Sequence, residues 1–289
     1  MTAWTPASMP DLSGKSAVVT GANSGIGFPT ALELARHGAH VVVAARDRGR
    51  GEEAVARILR EVPGAQVEYG RLDLADLSSV REFAAGVREL DLLINNAGIA
   101  MVPKGTTKDG FEMQFGTNHL GHFALTGLLL PLLAAAPGAR VVTVSSDAHN
   151  AGRIDFDDLG LERRYGRMAA YGRSKLANVL FALELQRRAD KAGVGLLSTV
   201  THPGATATRI VKVGPLQPLV GLLLKPAAAG AVPSLYAATS PDVRGGEFFG
   251  PKAKPLVPSE RAGSEELAAR LWEVSAELTG VRYEALAGR

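Results

Sequence analysis

Cysteine is absent from the 289-residue sequence. Its absence excludes disulfides, thiolate nucleophiles and cysteine-ligated zinc, and it agrees with a reducing, cytosolic compartment. Aromatic residues are sparse, at 6%. An excess of one charge is also missing, since 32 basic residues stand against 29 acidic ones for a formal net charge of +3. The basic residues are scattered or paired, as in Arg163-Arg164 and Arg187-Arg188, and are interleaved with acids. That balance favours a solvated surface over a nucleic-acid partner. Long hydrophobic runs are lacking too. The most apolar stretches, Leu125 to Ala136 and Leu216 to Leu224, fall short of the roughly 20 residues that span a bilayer. The first residues, MTAWTPASMPDLSGK, show no basic start followed by an apolar run. No secretory leader and no membrane span are expected, and a cytoplasmic location is.

What is plentiful is glycine, 33 residues, within a chain that is 46% hydrophobic. This suits one large domain over 1–289 with a sizeable core and many tight turns. Short apolar runs alternate with helical stretches. Strands are expected at Ser16 to Thr20, His40 to Ala45, Gln66 to Gly70, from Asp91, at Arg140 to Ser146, Val194 to Val200 and Gly246 to Gly250. Their unbroken Val/Leu/Ile runs fit parallel strands covered on both faces. Helices are expected from Phe28 to Gly38, Gly51 to Glu61, Ser78 to Glu89, Gly110 to Ala136, Met168 to Ala192, Ala227 to Ala238 and Glu265 to Thr279. Pro131 should kink or interrupt the fourth. Strand-helix alternation predicts a doubly wound parallel sheet of about seven strands with helices on both faces. Residues 264–289 read as a C-terminal helical extension.

The first strand runs into TGANSGIG, Thr20 to Gly27. Gly21, Gly25 and Gly27, with Asn23, Ser24 and Ile26 between them, form a candidate cradle for a pyrophosphate at a helix N-terminus. The spacing departs from the common G-x-G-x-x-G pattern, and a plain glycine-rich turn is the alternative. At the end of the second strand Arg46 stands where a site preferring NAD(H) usually places an acid. A guanidinium there suits a 2′-phosphate, so NADP(H) is expected over NAD(H), with Asp47 leaving the point open. Asp73 and the Leu74 amide, after the third strand, can read an adenine edge, or Asp73 can serve a turn. Asn95, Ala97 and Gly98 follow the fourth strand and can let a nicotinamide ribose pass, or Asn95 can be structural.

Tyr171 and Lys175 lie four residues apart at the start of a helix and so share a face. The pair is either an aromatic beside a solvated charge or a lysine that makes a phenol acidic enough to move a proton. His119 and His122 lack a third ligand, so packing or hydrogen bonding is expected of them and no metal site. His149 and Asn150 are possible pocket residues. No G-x-S-x-G elbow surrounds Ser145 or Ser146, which disfavours a hydrolase.

TGANSGIG, NNAG at Asn95, Asn118 in GTNHLGHF, VSS ending at Ser146, YGRSK at Tyr171 and HPG at His202 occur in that order. Together they resemble the short-chain dehydrogenase/reductase family over roughly residues 15–250. The long interval from Ser146 to Tyr171, 25 residues, resembles the retinol-dehydrogenase-like and protochlorophyllide-reductase-like branch, as do Ala44-Ala45-Arg46 and VTVSSDAH. The resemblance implies a Rossmann-type fold and an NADP(H)-dependent oxidoreductase acting on an alcohol or carbonyl. It implies Tyr171 as general acid/base and Lys175 as the group that binds the ribose and lowers the phenol's pKa. It implies Ser146, with Ser145 as rival, as the residue holding the substrate oxygen, and Asn118 as the anchor of a water in a proton relay. Tyr165 is the rival of Tyr171 but has no lysine four residues on. Pro203, Gly204 and Thr208 are expected over the cofactor. The apolar stretch from Val211 to Leu224, within a lid near 205–226, points to an apolar substrate, with Met101 and Val102 as an opposite wall. Dimers or tetramers are implied, with the two long helices as candidate interfaces. Two rivals remain: a silent nucleotide-binding regulator of the same fold, and a reductase of activated C=C bonds.

Overall fold

A computed structural model describes residues 4–204 and 226–286. The expected lid and Thr208 lie outside these residues. The strands are β1 (Ser16–Thr20), β2 (His40–Ala45), β3 (Val67–Arg71), β4 (Leu92–Asn95), β5 (Arg140–Val144), β6 (Leu197–Thr201), β7 (Phe248–Gly250) and β8 (Lys254–Leu256). They form one sheet in the order β3-β2-β1-β4-β5-β6-β7-β8. Strands β1 to β7 are mutually parallel, while β8 pairs antiparallel with β7. The eighth strand is an addition to the expected seven. It is short, and it puts Lys254 and Pro255 on the sheet's edge, where both oppose further strand pairing.

The helices are α1 (Gly27–Arg36), α2 (Arg48–Glu61), α3 (Leu77–Gly86), α4 (Met113–Phe115), α5 (Gly121–Ala135), α6 (Arg167–Ala192), α7 (Ala227–Thr239) and α8 (Glu265–Thr279). Val19, Val43 and Ile94 pack on one face of the sheet with Leu34 and Leu235. Val18, Leu93 and Val141 pack on the other with Phe123, Leu129 and Phe181. The central strands β1, β2, β4 and β5 therefore bury both of their faces, which is why they read as near-continuous apolar runs. Helix α6 ends where it should, at Gly193 with φ +68.

The helix expected from Gly110 to Ala136 is divided, and not at Pro131. Glu112 caps α4, the chain widens into a π turn over Gly116–Leu120, and α5 then runs through Pro131 to Ala135. Pro131 is exposed and lacks the N–H that would bond the Gly127 carbonyl, yet the helix continues through it. The widening is framed by two glycines with no room for a side chain. A Cβ on Gly116 would lie 2.4 Å from Thr107 Cγ2, and one on Gly121 would lie 2.4 Å from the Leu74 carbonyl. Taken together, Met113–Ala135 spans 23 residues and is long and apolar enough to cross a membrane, yet 72% of its most apolar window is buried in the protein. It is a core helix.

Helix α8 lies along α6 and also meets α5. Trp272 stacks on Phe181 at 5.9 Å, meets Phe123 edge-on at 5.2 Å and carries the Arg188 guanidinium at 4.6 Å. Beyond α8, the Tyr283 hydroxyl donates to the Phe123 carbonyl at 2.6 Å. Among the described residues the large hydrophobics left exposed are Leu59, Met168 and Val257.

Candidate active site

The order β3-β2-β1-β4-β5-β6 reverses direction between β1 and β4, so a crevice opens at the C-terminal ends of these strands. The turn after β1 is shaped for close approach. Gly21 and Gly25 have φ of +67 and +56, which side chains disfavour. A Cβ on Gly27 would sit 2.6 Å from both the Gly21 carbonyl and the Asn96 side-chain amide. Asn23 and Ser24 stay partly open at the rim, while Ile26 is buried and anchors the turn in the core. Pro29 falls in the first turn of α1 and leaves the helix intact.

At the end of β2, Asp47 is spent on structure. Its carboxylate caps α2 by accepting from the Arg50 amide at 2.9 Å and bonds the Arg50 guanidinium at 3.0 Å. The backbone and side-chain bonds from Arg50 hold its pKa below the usual carboxylate range. Arg48 is likewise paired with Glu52 at 2.8 Å. Arg46 is 70% exposed and stands 4.0 Å from Asp73, which brings the two expected adenine-side residues together. Asp73 accepts from the Ala75 amide at 3.0 Å, a turn role, and Asp76 rather than Asp73 caps α3. The Leu74 side chain is buried.

Asn95 takes the structural role that stood as its alternative. It is fully buried, and its amide donates to Thr126 at 3.0 Å, so it braces β4 against α5 instead of facing the crevice. Ala97 and Gly98 do face it. A Cβ on Gly98 would come 3.3 Å from Asn118 Oδ1 and 3.4 Å from Lys175 Nζ. Asn118, in the π turn, is also fully buried. It accepts from the Ile99 amide at 2.8 Å and donates to the Ile99 carbonyl and to Ser174 Oγ, both at 2.9 Å. Both of its N–H donors are committed, so its side chain straps the loop after β4 to α6.

Ser146 and Tyr171 meet although 25 residues separate them. The Ser146 hydroxyl stands close enough to the phenol to lower its pKa. Two glycines bring them together. A Cβ on Gly152 would lie 2.4 Å from the Gly172 carbonyl, and one on Gly172 would lie 2.8 Å from the Ala148 carbonyl. Arg261 holds this contact from outside, donating to the Gly152 carbonyl at 2.8 Å. Ser145 turns the other way and donates to the Lys175 carbonyl at 2.8 Å. Tyr165 is occupied with the Val102 carbonyl at 2.9 Å and Gln114 at 3.2 Å. Neither rival reaches the crevice chemistry. His149 is buried behind Ser146, its Nδ1 donating to the Ser146 carbonyl at 2.7 Å, and Asn150 is exposed.

Lys175 is 4% exposed and donates to the Val144 carbonyl at 3.0 Å, with Nζ 5.8 Å from the centre of the Tyr171 ring. Burial pushes its pKa down to about 8. The phenol moves the other way. Burial raises the Tyr171 pKa, and the Ser146 hydroxyl offsets part of that rise. Burial outweighs the serine, so the phenol's pKa stands above its ordinary value. On the far side, His202 lies 2.9 Å from Asp147, and Gly204, with φ +73, packs its Cα beside Pro251. Pro203 and Gly204 are partly open at the end of β6.

The model of the short chain dehydrogenase family matches residues 15–215. The chain belongs to that family. Human retinol dehydrogenase 13 is 46% identical over 286 residues, covering 93% of this chain and 85% of its own length. A crystal structure of a protein from Mycobacterium paratuberculosis is 47% identical, with a TM-score of 0.83 over 98% of this chain and 99% of that one. An NAD(P)-dependent gluconate 5-dehydrogenase from Beutenbergia cavernae, solved with bound NADP, is 26% identical with a TM-score of 0.66, covering 83% and 96%. This short-chain dehydrogenase is an oxidoreductase of the retinol-dehydrogenase-like branch with a Rossmann fold, and its chemistry joins alcohols to carbonyls. Sequence reasoning missed the Gly152–Gly172 contact and the Arg261 strap. Gly172 was visible beside Tyr171, but nothing local pairs it with Gly152. A cavity of about 310 Å³ opens elsewhere, between Glu184, Arg187, Gly245 and the start of α8, and takes no part in this site.

Proposed function

We propose that the protein interconverts an apolar alcohol and its carbonyl with NADP(H), using Tyr171 as acid and base. The observation that carries this reading is the convergence of Ser146, Tyr171 and Lys175 beside a glycine turn with no space for side chains. That turn fits a dinucleotide, since its glycines leave the backbone open to close approach and α1 points its N-terminus there. Gly21 to Gly27 would hold the pyrophosphate, Ala97 and Gly98 the nicotinamide ribose together with Lys175, and Arg46 the 2′-phosphate. The preference for NADP(H) over NAD(H) rests on the ends of β2, where Asp47 is committed as a cap and Arg46 is exposed. When bound, the nicotinamide supplies or accepts the hydride.

The chain's own part is proton transfer and alignment. Burial keeps Tyr171 protonated at neutral pH, as a donor to a carbonyl oxygen must be. Ser146, beside the phenol, steadies the same substrate oxygen as charge develops on it. Lys175 places a cation near the phenol for the moment it gives up its proton.

The substrate class follows from the apolar stretch expected to cover the crevice, from Met101 and Val102 after β4, and from relatives named as retinol dehydrogenases. Each methylene buried in an apolar pocket is worth roughly 0.8 kcal/mol. Steady-state kinetics with NADPH on aldehydes from C3 to C12, with retinal alongside, should show kcat/KM climbing up to a few-fold per carbon until the pocket fills. Small polar sugars should react poorly. A flat or falling series removes the apolar substrate, and NADPH left unoxidised across the whole panel removes the oxidoreductase reading.

A further inference from the structure

His122 is buried in the layer between the sheet and α5, and both of its ring nitrogens are engaged. Nδ1 lies 2.9 Å from the Asn118 carbonyl, and Nε2 lies 2.9 Å from Thr20 Oγ1. A carbonyl oxygen only accepts, so Nδ1 carries the proton and Nε2 accepts from the threonine hydroxyl, whose one proton goes there at 2.9 Å rather than to the Ile94 carbonyl at 3.3 Å. The other tautomer would set two lone pairs face to face at Asn118. Burial keeps the ring neutral, with its pKa lowered to about 4. The Thr20 oxygen then has lone pairs left for two backbone donors, Asn96 N at 3.0 Å and Ala97 N at 2.9 Å. The Asn96 side-chain amide closes the group by donating to the Thr20 carbonyl at 2.8 Å.

One imidazole thus joins three parts of the site. They are the last residue of β1, where the glycine turn begins, the turn Asn96 to Gly98 after β4, and the π turn that carries Asn118. Gly98 in turn lies against Asn118 Oδ1 and Lys175 Nζ. We propose that His122 is a positioning residue that, through Thr20, sets the Asn96–Gly98 floor of the cofactor site in register with Asn118. The proposal rests on the dinucleotide reading above.

The experiment measures NADPH affinity by fluorescence titration, kcat and KM with one reactive aldehyde, and Tm. The proteins are the wild type, Thr20→Val, His122→Leu, His122→Gln and the double variant Thr20→Val/His122→Leu. Thr20→Val and His122→Leu should each weaken NADPH binding about tenfold, the scale of a buried hydrogen-bonding group left unpaired. The double variant should be no weaker than the weaker single one, because both remove the same device. His122→Gln keeps an acceptor where Nε2 was and should recover most of the affinity. Should His122→Leu fail to fold, Thr20→Val, which keeps the side-chain shape, and His122→Gln still decide the matter. Lowered Tm with wild-type NADPH affinity and kcat in these variants overturns the proposal and leaves a core histidine. Losses that simply add in the double variant overturn it too. A wild type that binds neither NADPH nor NADH sinks the dinucleotide reading instead.

Discussion

Lys175 is a cation that folding takes out of water, and its stability cost depends on pH. Its pKa falls from 10.5 to about 8 on burial. Between those values the unfolded chain binds more protons than the folded one, so stability rises with pH through that window. Below about pH 8 the cost is present in full. Lys175→Met should therefore stabilise the cofactor-free protein at pH 7 by about 1–3 kcal/mol, less whatever the bond to Val144 contributes. The gain should shrink as pH approaches 10, and turnover should be lost throughout. Urea unfolding at pH 7 and pH 9.5 reads this directly, and a variant less stable than wild type at pH 7 contradicts it. Arg46 carries a different expectation. Arg46→Asp should weaken NADPH relative to NADH by about tenfold to a hundredfold, the value of a charge-assisted contact of roughly 1.5–3 kcal/mol. Unchanged relative affinities on titration would move the selectivity to another residue. At this scale residue type was legible but direction was not. Ser145 and Ser146 are adjacent and chemically identical, and the alternation along a strand end sends one to the Lys175 carbonyl and the other to Tyr171. Asn95 was expected at the cofactor or in a structural role and Asn118 at a water, and nothing local announced that both amides brace neighbouring segments.

Among elements, strands β1, β2 and β5 and helices α6 and α8 were readable almost to the residue, because unbroken apolar runs and capping glycines mark them. The segment from Gly110 to Ala136 was not. Apolar composition hides a π turn, whose cause is tight tertiary packing at Gly116 and Gly121. Proline, the usual local breaker, breaks nothing there. The turn from Asp147 to Ala151 and the first turn of α6 show the same dependence on distant contacts. They touch through Gly152 and Gly172, and that touch is what lets a long interval still deliver Ser146 to Tyr171. A methyl on Gly152 would meet the Gly172 carbonyl at 2.4 Å and Leu176 Cβ at 2.8 Å. Gly152→Ala should push the Ser146 turn away from α6. The expected result is kcat lower by about ten- to a hundredfold, as displacements near 1 Å bring, with NADPH affinity nearly unchanged. Wild-type kcat in Gly152→Ala would show that the turn accommodates the methyl and that the contact does not set the register.

For the whole molecule, strand-helix alternation led to a parallel sheet because right-handed crossovers leave few other arrangements. The antiparallel β8 was missed, since Lys254–Leu256 has neither length nor alternation to announce it. The packing of α8 on α5 and α6 was also out of reach, because amphipathic pattern shows that a helix has an apolar face and not what that face meets. That packing covers part of the two long helices expected as candidate interfaces. The sheet directs its strand ends, the glycine turn and α6 to one crevice, and the central claim is that Tyr171 moves the proton there. Single-turnover oxidation of NADPH by wild type and Tyr171→Phe, mixed with the same apolar aldehyde, tests it most directly. Tyr171→Phe keeps the ring, so NADPH affinity should persist while the rate falls at least about a hundredfold, the lower end for a lost proton donor. A Tyr171→Phe protein that oxidises NADPH at the wild-type rate would contradict the account.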